Sequence, residues 1–328
     1  MSAAIQRIEA WFAGQGWEPF AFQYEVWQSY LNGESGLIHA PTGTGKTYAA
    51  WLGPLLEWMA SGEGQTEAGL RVLWLTPMRA LAADTVAALS RPLADMGIPW
   101  AVEKRTGDTS SHRRQKQLKK PPTALVTTPE SLSILLSQDD ARRLFSTLKL
   151  VVVDEWHELL GNKRGVQAEL GLARLRSWQP DLRIWGLSAT LGNLDEALAA
   201  LLGMDGAGGV RPGRLVRGVV PKEVIVDSLI PEQIERFPWA GHMGLKMLPQ
   251  VLEAVEEARS TLIFTNTRNQ TESWFQAILD ARPEWAGEIA LHHGSLAAAT
   301  REFVENGLRE GSLRCVVATS SLDLGVDF

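Results

Sequence analysis

The chain is 328 residues long, 45% hydrophobic and 21% charged, with a formal net charge of −6. This composition is typical of a soluble globular protein, and the length predicts two domains because a single hydrophobic core seldom grows further. No apolar run approaches the roughly 20 residues of a membrane span, and residues 1–7 lack the build of a signal peptide. We therefore expect a cytoplasmic protein that makes no membrane contact.

The single cysteine, Cys315, excludes a disulfide framework, and its apolar neighbours indicate a buried strand thiol. The negative net charge argues against a protein that covers nucleic acid with its whole surface. A groove that grips a strand needs only local positive charge and backbone donors, so composition leaves nucleic-acid binding open.

An amphipathic helix is predicted at the start of the chain, where Ile5, Ile8, Trp11 and Phe12 recur at near-helical spacing. Phe20 and Gln23 belong to the aromatic segment that follows. A glutamine side chain can pair with the N6 and N7 edge of adenine. Gln23 is thus a candidate base reader, with Phe20 assigned to the same site; the alternative is a solvated glutamine on a helix whose aromatic residues are core.

A glycine-rich loop follows the short apolar run 37–39. Backbone N–H groups of such a loop, backed by a helix N-terminus, can hold a phosphate chain, with one lysine over the outer phosphates and a hydroxyl on Mg²⁺. The residues in these places are Thr42, Gly43, Thr44, Gly45, Lys46 and Thr47. Ala40 stands where the pattern has its first glycine. The alternative is an ordinary turn rich in glycine and threonine.

Short apolar runs recur with helical stretches between them. They are 37–39, 72–76, 124–128, 150–154 and 184–188. Runs without polar alternation are typical of parallel strands buried on both faces, so the pattern predicts an α/β domain with a parallel sheet flanked by helices. Such sheets bind ligands at the carboxyl ends of their strands, where polar clusters stand in this sequence.

Asp154 and Glu155 end one of these runs. A carboxylate at the end of a buried strand beside a phosphate loop can hold Mg²⁺, usually through water. A second carboxylate can orient and deprotonate the water that attacks the phosphate. Asp154 fits the first role and Glu155 the second. The alternative is a pair of acidic residues interacting with a helix dipole.

Glycine and proline concentrate between 203 and 221, which predicts a linker over 206–221, a first domain over 1–205 and a second over 222–328. Strands are predicted again beyond the linker, at 224–226, 261–265, 289–292 and 313–319. Helices are expected around Leu252 and Phe275.

The ordered motifs resemble the first RecA-like domain of superfamily 2 helicases with the sequence D-E-x-H. They are Gln23, 40–47, 76–81, 128–130, 154–157 and 188–190. Three further segments, 105–110, 291–296 and 318–327, resemble the Lhr-type helicases, in particular the bacterial ligase-associated DNA helicases. The resemblance spans almost the whole chain and implies two tandem RecA-like domains with a nucleotide cleft between them.

The resemblance also implies roles at the nucleotide. His157 would be a hydrogen-bonding relay, Ser188 and Thr190 would couple nucleotide state to domain closure, and Gly325 and Asp327 would approach the nucleotide from the second domain.

The nucleic-acid strand would be contacted by residues of both domains. They are Arg79, Thr106 and Thr128 in the first domain, and Asn266, Thr267, Arg268 and Thr319 in the second.

The implied function is an ATP- and Mg²⁺-dependent DNA helicase or translocase that tracks single-stranded DNA 3′-to-5′ in DNA repair. Its substrate would be a single strand or a tailed duplex, and a DNA ligase is a candidate partner. One alternative is a helicase acting on RNA or an RNA–DNA hybrid, because contacts to the backbone discriminate poorly. Another is a protein that binds nucleotide and strand without turnover.

The sequence contains no Gln-x-x-Gly-Arg-x-Gly-Arg pattern, which follows the segment 318–327 in the helicase family. Arginines of this kind stabilise transition-state charge at the γ-phosphate by about 10³–10⁵ in rate. The resemblance therefore implies an N-terminal portion with an incomplete second domain, which would bind ATP weakly and hydrolyse it near background.

Overall fold

The structure is a computed structural model that describes residues 2–62, 69–79, 81–218, 225–230 and 244–322. The chain divides into two compact units, Met1–Pro221 and Lys222–Phe328. Each unit contains a parallel sheet flanked by helices, which confirms the predicted fold class.

The first unit alternates strands with helices. Its strands are β1 (Gly36–His39), β2 (Val72–Leu75), β3 (Val102–Arg105), β4 (Ala124–Thr127), β5 (Leu150–Val153), β6 (Arg183–Ser188) and β7 (Arg214–Arg217). Its helices are α1 (Ser2–Gly14), α2 (Ala21–Leu31), α3 (Lys46–Ala60), α4 (Leu81–Asp95), α5 (Ser111–Lys119), α6 (Pro129–Leu136), α7 (Ala141–Leu144), α8 (Trp156–Leu159), α9 (Lys163–Trp178) and α10 (Leu194–Leu202).

The seven strands are all parallel and lie in the order β3-β4-β2-β5-β6-β1-β7. The carboxyl ends of β5, β6 and β1 are therefore neighbours, and these ends carry Asp154, Ser188 and the glycine-rich loop. The topology thus brings three candidate site segments, which are distant in sequence, to one edge of the sheet.

Successive strand residues supply two separate cores, as expected of a sheet covered on both faces. Val72 and Trp74 of β2 belong to one core, and Leu73 and Leu75 to the other. The same alternation holds in β5. Burial on both faces explains why the central strands read as continuous apolar runs.

Both edge strands, β3 and β7, were missed by the sequence pattern. Their sequences, Val-Glu-Lys-Arg and Arg-Leu-Val-Arg, have three and two charged residues of four, because an edge strand need not bury every side chain. β7 corrects the predicted linker over 206–221, because Arg214–Arg217 pairs with β1 and so belongs to the first sheet.

The second unit has a smaller parallel sheet. It contains β8 (Thr261–Phe264), β9 (Ile289–His292) and β10 (Cys315–Ala318) in the order β8-β10-β9, with α11 (Leu248–Glu257), α12 (Arg268–Ala281) and α13 (Ala298–Glu310). Both expected helices are present. Cys315 is fully buried in β10, as predicted, and burial raises the pKa of its thiol to about 11.

The strand predicted at 224–226 is wrong for its described part. Ile225 and Val226 have no regular secondary structure and are 83% and 89% exposed. Val224 lies outside the described residues. Two consecutive β-branched residues favour a strand only where a neighbouring strand can pair with them.

Gly36 allows the main chains of β1 and β7 to approach. A Cβ at this position would overlap the Arg214 carbonyl oxygen and lie 2.7 Å from the Trp185 ring. We therefore expect Gly36→Ala to lower the free energy of unfolding by about 1–3 kcal/mol, measured by urea denaturation.

Gly14→Ala is the matched control, because a Cβ there meets nothing within 4 Å at the end of α1. It should leave stability unchanged or slightly raised. Equal stability of the two variants would contradict the close pairing of β7 with β1.

Candidate nucleotide site and strand-binding residues

The glycine-rich loop has the backbone of a phosphate-binding turn. Gly43 and Gly45 have φ angles of +74° and +79°, in the left-handed region where glycine carries no steric cost. α3 begins at Lys46, directly after Gly45. The loop therefore places backbone N–H groups and a helix N-terminus at the carboxyl end of β1.

Lys46 and Thr44 are buried in this loop. The ammonium group of Lys46 donates to the carbonyl oxygens of Ala40 at 2.7 Å and Pro41 at 2.9 Å, and the Thr44 hydroxyl donates to Pro41 O at 2.7 Å. Thr42 and Gly43 are exposed at the tip, and Thr47 is partly buried in the first turn of α3. The lysine charge thus lies within the loop that would receive phosphates.

Gln23 joins the aromatic segment to this loop. Its Oε1 accepts from the Phe20 N–H at 2.8 Å, and its Nε2 donates to Gly45 O at 3.0 Å. Gln23 is only 1% exposed, whereas Phe20 is 45% exposed and stacks on Phe22. The oxygen and the nitrogen of the Gln23 side-chain amide are thus both hydrogen-bonded to main-chain groups. Recognition of adenine by Gln23 would require an exchange of these partners and stays a prediction.

Asp154 follows β5 and is held on several sides. The Trp74 indole Nε1 donates to Asp154 Oδ2 at 3.1 Å, and the Glu155 N–H donates to Oδ1 at 3.0 Å. Burial first, and then the charge of Glu155, raise the pKa of Asp154 to about 7, while Trp74 and Lys46 act in the opposite direction. An added cation would favour the charged form.

Glu155 has a left-handed backbone, with φ 44° and ψ 52°, and among the described residues no other non-glycine residue has a positive φ. Such a conformation costs energy and is commonly found at functional sites. It places Glu155 Oε2 3.5 Å from His157 Nδ1. The Asp154, Glu155 and His157 side chains are therefore grouped at the end of β5.

Ser188 connects this group to the glycine-rich loop. Its carbonyl oxygen accepts from the Ala40 N–H at 3.1 Å, and its hydroxyl is hydrogen-bonded to His157 Nδ1 at 3.1 Å. Ser188 is fully buried at the end of β6, between β5 and β1, whereas Thr190 is exposed. One buried serine thus contacts both halves of the candidate site.

The oxygen donors at this edge suit Mg²⁺. Asp154 and Thr47 offer a carboxylate and a hydroxyl, which are hard ligands, and Mg²⁺ is usually held by one or two carboxylates together with substrate phosphates. Across the residues that the structure describes, no cluster of three or more His, Cys, Asp or Glu forms a metal cage. The donor set therefore fits a cation that arrives with a nucleotide.

Arg79, Thr106 and Thr128 also lie at the carboxyl edge, after β2, β3 and β4. Arg79 is exposed and its Nη1 lies 2.8 Å from Asp108 Oδ1. Thr106 and Thr128 are 3% and 2% exposed, and Thr128 caps α6. Both threonines are therefore almost wholly covered, and their contact with a nucleic-acid strand stays a prediction.

In the second unit, Asn266, Thr267 and Arg268 follow β8 and are exposed. Thr267 caps α12, and Arg268 Nε lies 2.8 Å from Glu272 Oε1. Thr319 follows the neighbouring β10, so these residues share the carboxyl edge of the second sheet.

Gly325 and Asp327 lie outside the described residues.

Trp74 was missed by the sequence analysis, which interpreted it as part of a strand. The signal available was its place on β2, directly before a polar cluster.

Together, the parallel sheet, the glycine turn and the carboxylates at the neighbouring strand end define a P-loop nucleotide-binding protein of the α/β class. A family model described as DEAD/DEAH box helicase matches residues 20–197, and one described as helicase conserved C-terminal domain matches residues 244–328. The chain belongs to the DEAD/DEAH box helicase family.

The similar proteins include Lhr-type helicases, which confirms the resemblance. The ATP-dependent helicase Lhr-Core protein 2 of Thermococcus barophilus is 37% identical over 98% of this chain and 38% of its own length. The Lhr helicase/uracil glycosylase of Escherichia coli is 32% identical over 97% of this chain and 24% of its own length. The chain thus spans well under half of these relatives.

The structure of Mycobacterium smegmatis helicase Lhr bound to ssDNA and AMP-PNP has a TM-score of 0.73 and 29% identity, over 99% of this chain and 42% of that chain. None of the described helices has the length and apolar character needed to cross a membrane.

The raised pKa of Asp154 predicts a pH-dependent stability. The pKa of Asp154 is near 3.8 in the unfolded chain and about 7 in the folded one. Between these two pH values the Asp154 carboxyl group is therefore protonated in the folded state and charged in the unfolded state. The resulting stabilisation of the folded state is fully present below the pKa of the unfolded chain and is lost as the pH rises through 7. Without divalent cations, the free energy of unfolding of the wild type should therefore fall relative to that of Asp154→Asn by about 3 kcal/mol from pH 5 to pH 8.

Urea denaturation at the two pH values measures this difference. Asp181→Asn is the control, because Asp181 is exposed, and it should follow the wild-type pH profile. Parallel profiles for wild type and Asp154→Asn would contradict the raised pKa of Asp154.

Proposed function

We propose that this protein is an ATP- and Mg²⁺-dependent motor that acts on single-stranded DNA. The observation that carries the proposal is the contact of Ser188 with both the glycine-rich loop and His157. A group that contacts both halves of a nucleotide site can respond to the presence of the γ-phosphate and transmit that response.

The chemistry assigned to this site is phosphoryl transfer to water. Lys46 and the loop N–H groups would hold the phosphates, and Thr47 and Asp154 would hold Mg²⁺, which supplies charge neutralisation at the phosphates when bound. Glu155, whose Oε2 lies 3.5 Å from His157 Nδ1, would accept the proton of the attacking water. His157, which is hydrogen-bonded to Ser188, would couple this step to the position of Ser188.

Strand binding is assigned to the carboxyl edges of the two sheets. Exposed Arg79 and Arg268 would supply positive charge by exchanging their partners, Asp108 and Glu272, for phosphates of the strand. The residues after β3, β4, β8 and β10 would supply main-chain and side-chain donors. Contacts of this kind hold the phosphate backbone and carry no sequence information. The DNA-bound M. smegmatis Lhr supports DNA as the substrate.

The resemblance to Lhr-type helicases supports the finer assignments: 3′-to-5′ movement on a single strand or tailed duplex, a role in DNA repair in the cytoplasm, and a DNA ligase as a candidate partner. RNA, or an RNA–DNA hybrid, is the alternative substrate, and binding of nucleotide and strand without turnover is the alternative activity.

The test is ATP hydrolysis under single-turnover conditions without nucleic acid, with single-stranded DNA and with single-stranded RNA. Because these 328 residues carry no Gln-x-x-Gly-Arg-x-Gly-Arg pattern, the rates are measured on a version of the chain joined to a segment that supplies it. In that version we expect stimulation by DNA. Glu155→Gln should reduce hydrolysis by about 100-fold or more, since the amide cannot accept a proton, while ATP binding is retained. Glu196→Gln makes the same change at an exposed position and should keep the wild-type rate.

Stimulation by RNA alone would favour the RNA alternative. Binding of both ligands without hydrolysis would favour the protein that does not turn over. A Glu155→Gln variant with the wild-type rate would exclude Glu155 as the base.

A further inference from the structure

A cavity of about 350 Å³ lies in the second unit, at the carboxyl end of β8 and beside the first two turns of α12. Its volume is at the lower end of the range of on the order of 300–1,000 Å³ that small-molecule sites occupy. It is bordered by Asn266 and Thr267, which are assigned to the strand, but the cavity itself has no role in the proposed motor.

Two aromatic side chains line the cavity. Phe264 ends β8 and is 51% exposed, although the other residues of this strand are partly buried. Trp274 lies two turns into α12, and a Cβ on Gly244 would be only 3.0 Å from its indole ring. Phe264 therefore presents an apolar ring to solvent at a site where a planar ligand could cover it.

Polar uncharged groups complete the lining. They come from Thr265, Asn266, Thr267, Asn269, Gln270 and Ser273. Gln270 is engaged, since its Oε1 accepts from the Asn266 N–H at 3.2 Å. Side-chain amides of asparagine can donate and accept at once, which matches the mixed edge of a nucleobase.

Charge distinguishes between possible ligands. No residue that the structure shows lining the cavity is charged, so neither a phosphate nor a metal ion finds a counter-charge there. Arg268 and Lys246 are cations that directly adjoin lining residues but do not line the cavity themselves, and the Arg268 guanidinium pairs with Glu272. The lining therefore favours a neutral planar group, with phosphates placed beside the cavity and not within it.

We propose that this cavity takes one unstacked base of the bound strand, with Phe264 stacking on the base and the asparagine amides contacting its edge. The proposal rests on the proposed function, because it requires a nucleic-acid strand to be bound at Asn266, Thr267 and Arg268. It adds a base contact to a surface otherwise assigned to the backbone, and stacking of this kind tolerates any sequence.

The experiment uses oligothymidylate of about 12 nucleotides, within the site sizes of single-strand binders, with one abasic residue moved along it. Removal of a base leaves every phosphate in place. We expect one abasic position to weaken binding by roughly 5- to 150-fold, the range that loss of one stacked base predicts. The other positions should bind like the intact strand.

Phe264→Ala should weaken the intact strand by a similar factor and abolish the difference between abasic positions. Phe264→Leu, which keeps an apolar side chain and so protects folding, should also lose the position effect because it cannot stack. Phe303→Ala is the matched control: Phe303 is 70% exposed in the same unit but does not line the cavity, and the variant should behave as the wild type.

Wild-type binding that is equal at all abasic positions would overturn the proposal but leave strand binding intact. A position effect that persists in both Phe264 variants would place the base elsewhere and overturn it too. Binding of free thymidine that depends on Phe264, without a position effect, would make a free nucleoside the ligand. Failure of the wild type to bind any strand would overturn the proposed function together with this inference.

Discussion

The candidate site depends on the pairing of β6 with both β5 and β1. This pairing brings the end of β6 between Asp154 and the glycine-rich loop, where the buried Ser188 bonds Ala40 through its main chain and His157 through its side chain. A one-residue shift of β6 would turn Ser188 toward the opposite face of the sheet. The site geometry is therefore specified by the same apolar side chains that fill the two cores of the first unit.

Burial gives the site its electrostatic character. Asp154 is surrounded so that its charged form is disfavoured, and Lys46 bonds to carbonyl oxygens of its own loop. Both groups would gain a partner from a magnesium–nucleotide complex, since the cation favours the charged carboxylate and the phosphates attract the ammonium group. Ligand binding would thus be coupled to a change of partners inside the loop, which is the kind of local event that can bias a larger conformational equilibrium.

The central strands and the glycine-rich loop were predictable because burial on both faces and a left-handed turn leave strong patterns, as in Val151 to Val153 and in Gly43 and Gly45. The edge strands β3 and β7 were not, because they keep charged residues exposed. The engagement of Gln23 with Phe20 and Gly45, and of Trp74 with Asp154, could not be predicted either. Each of these contacts joins residues from separate elements, and a single sequence shows residue type but not which partner the fold supplies.

The central claim is that the loop after β1 binds the phosphates of ATP. Calorimetric titration of ATP with Mg²⁺ into wild type, Lys46→Ala and Lys149→Ala tests it most directly. Lys149 is an exposed lysine before β5, at the opposite edge of the same sheet, so its removal makes the same change in net charge. The account predicts that Lys46→Ala weakens binding by about 10- to 150-fold, the value of a hydrogen bond to a charged group, and that Lys149→Ala binds as the wild type does. Equal affinity of wild type and Lys46→Ala would contradict the account.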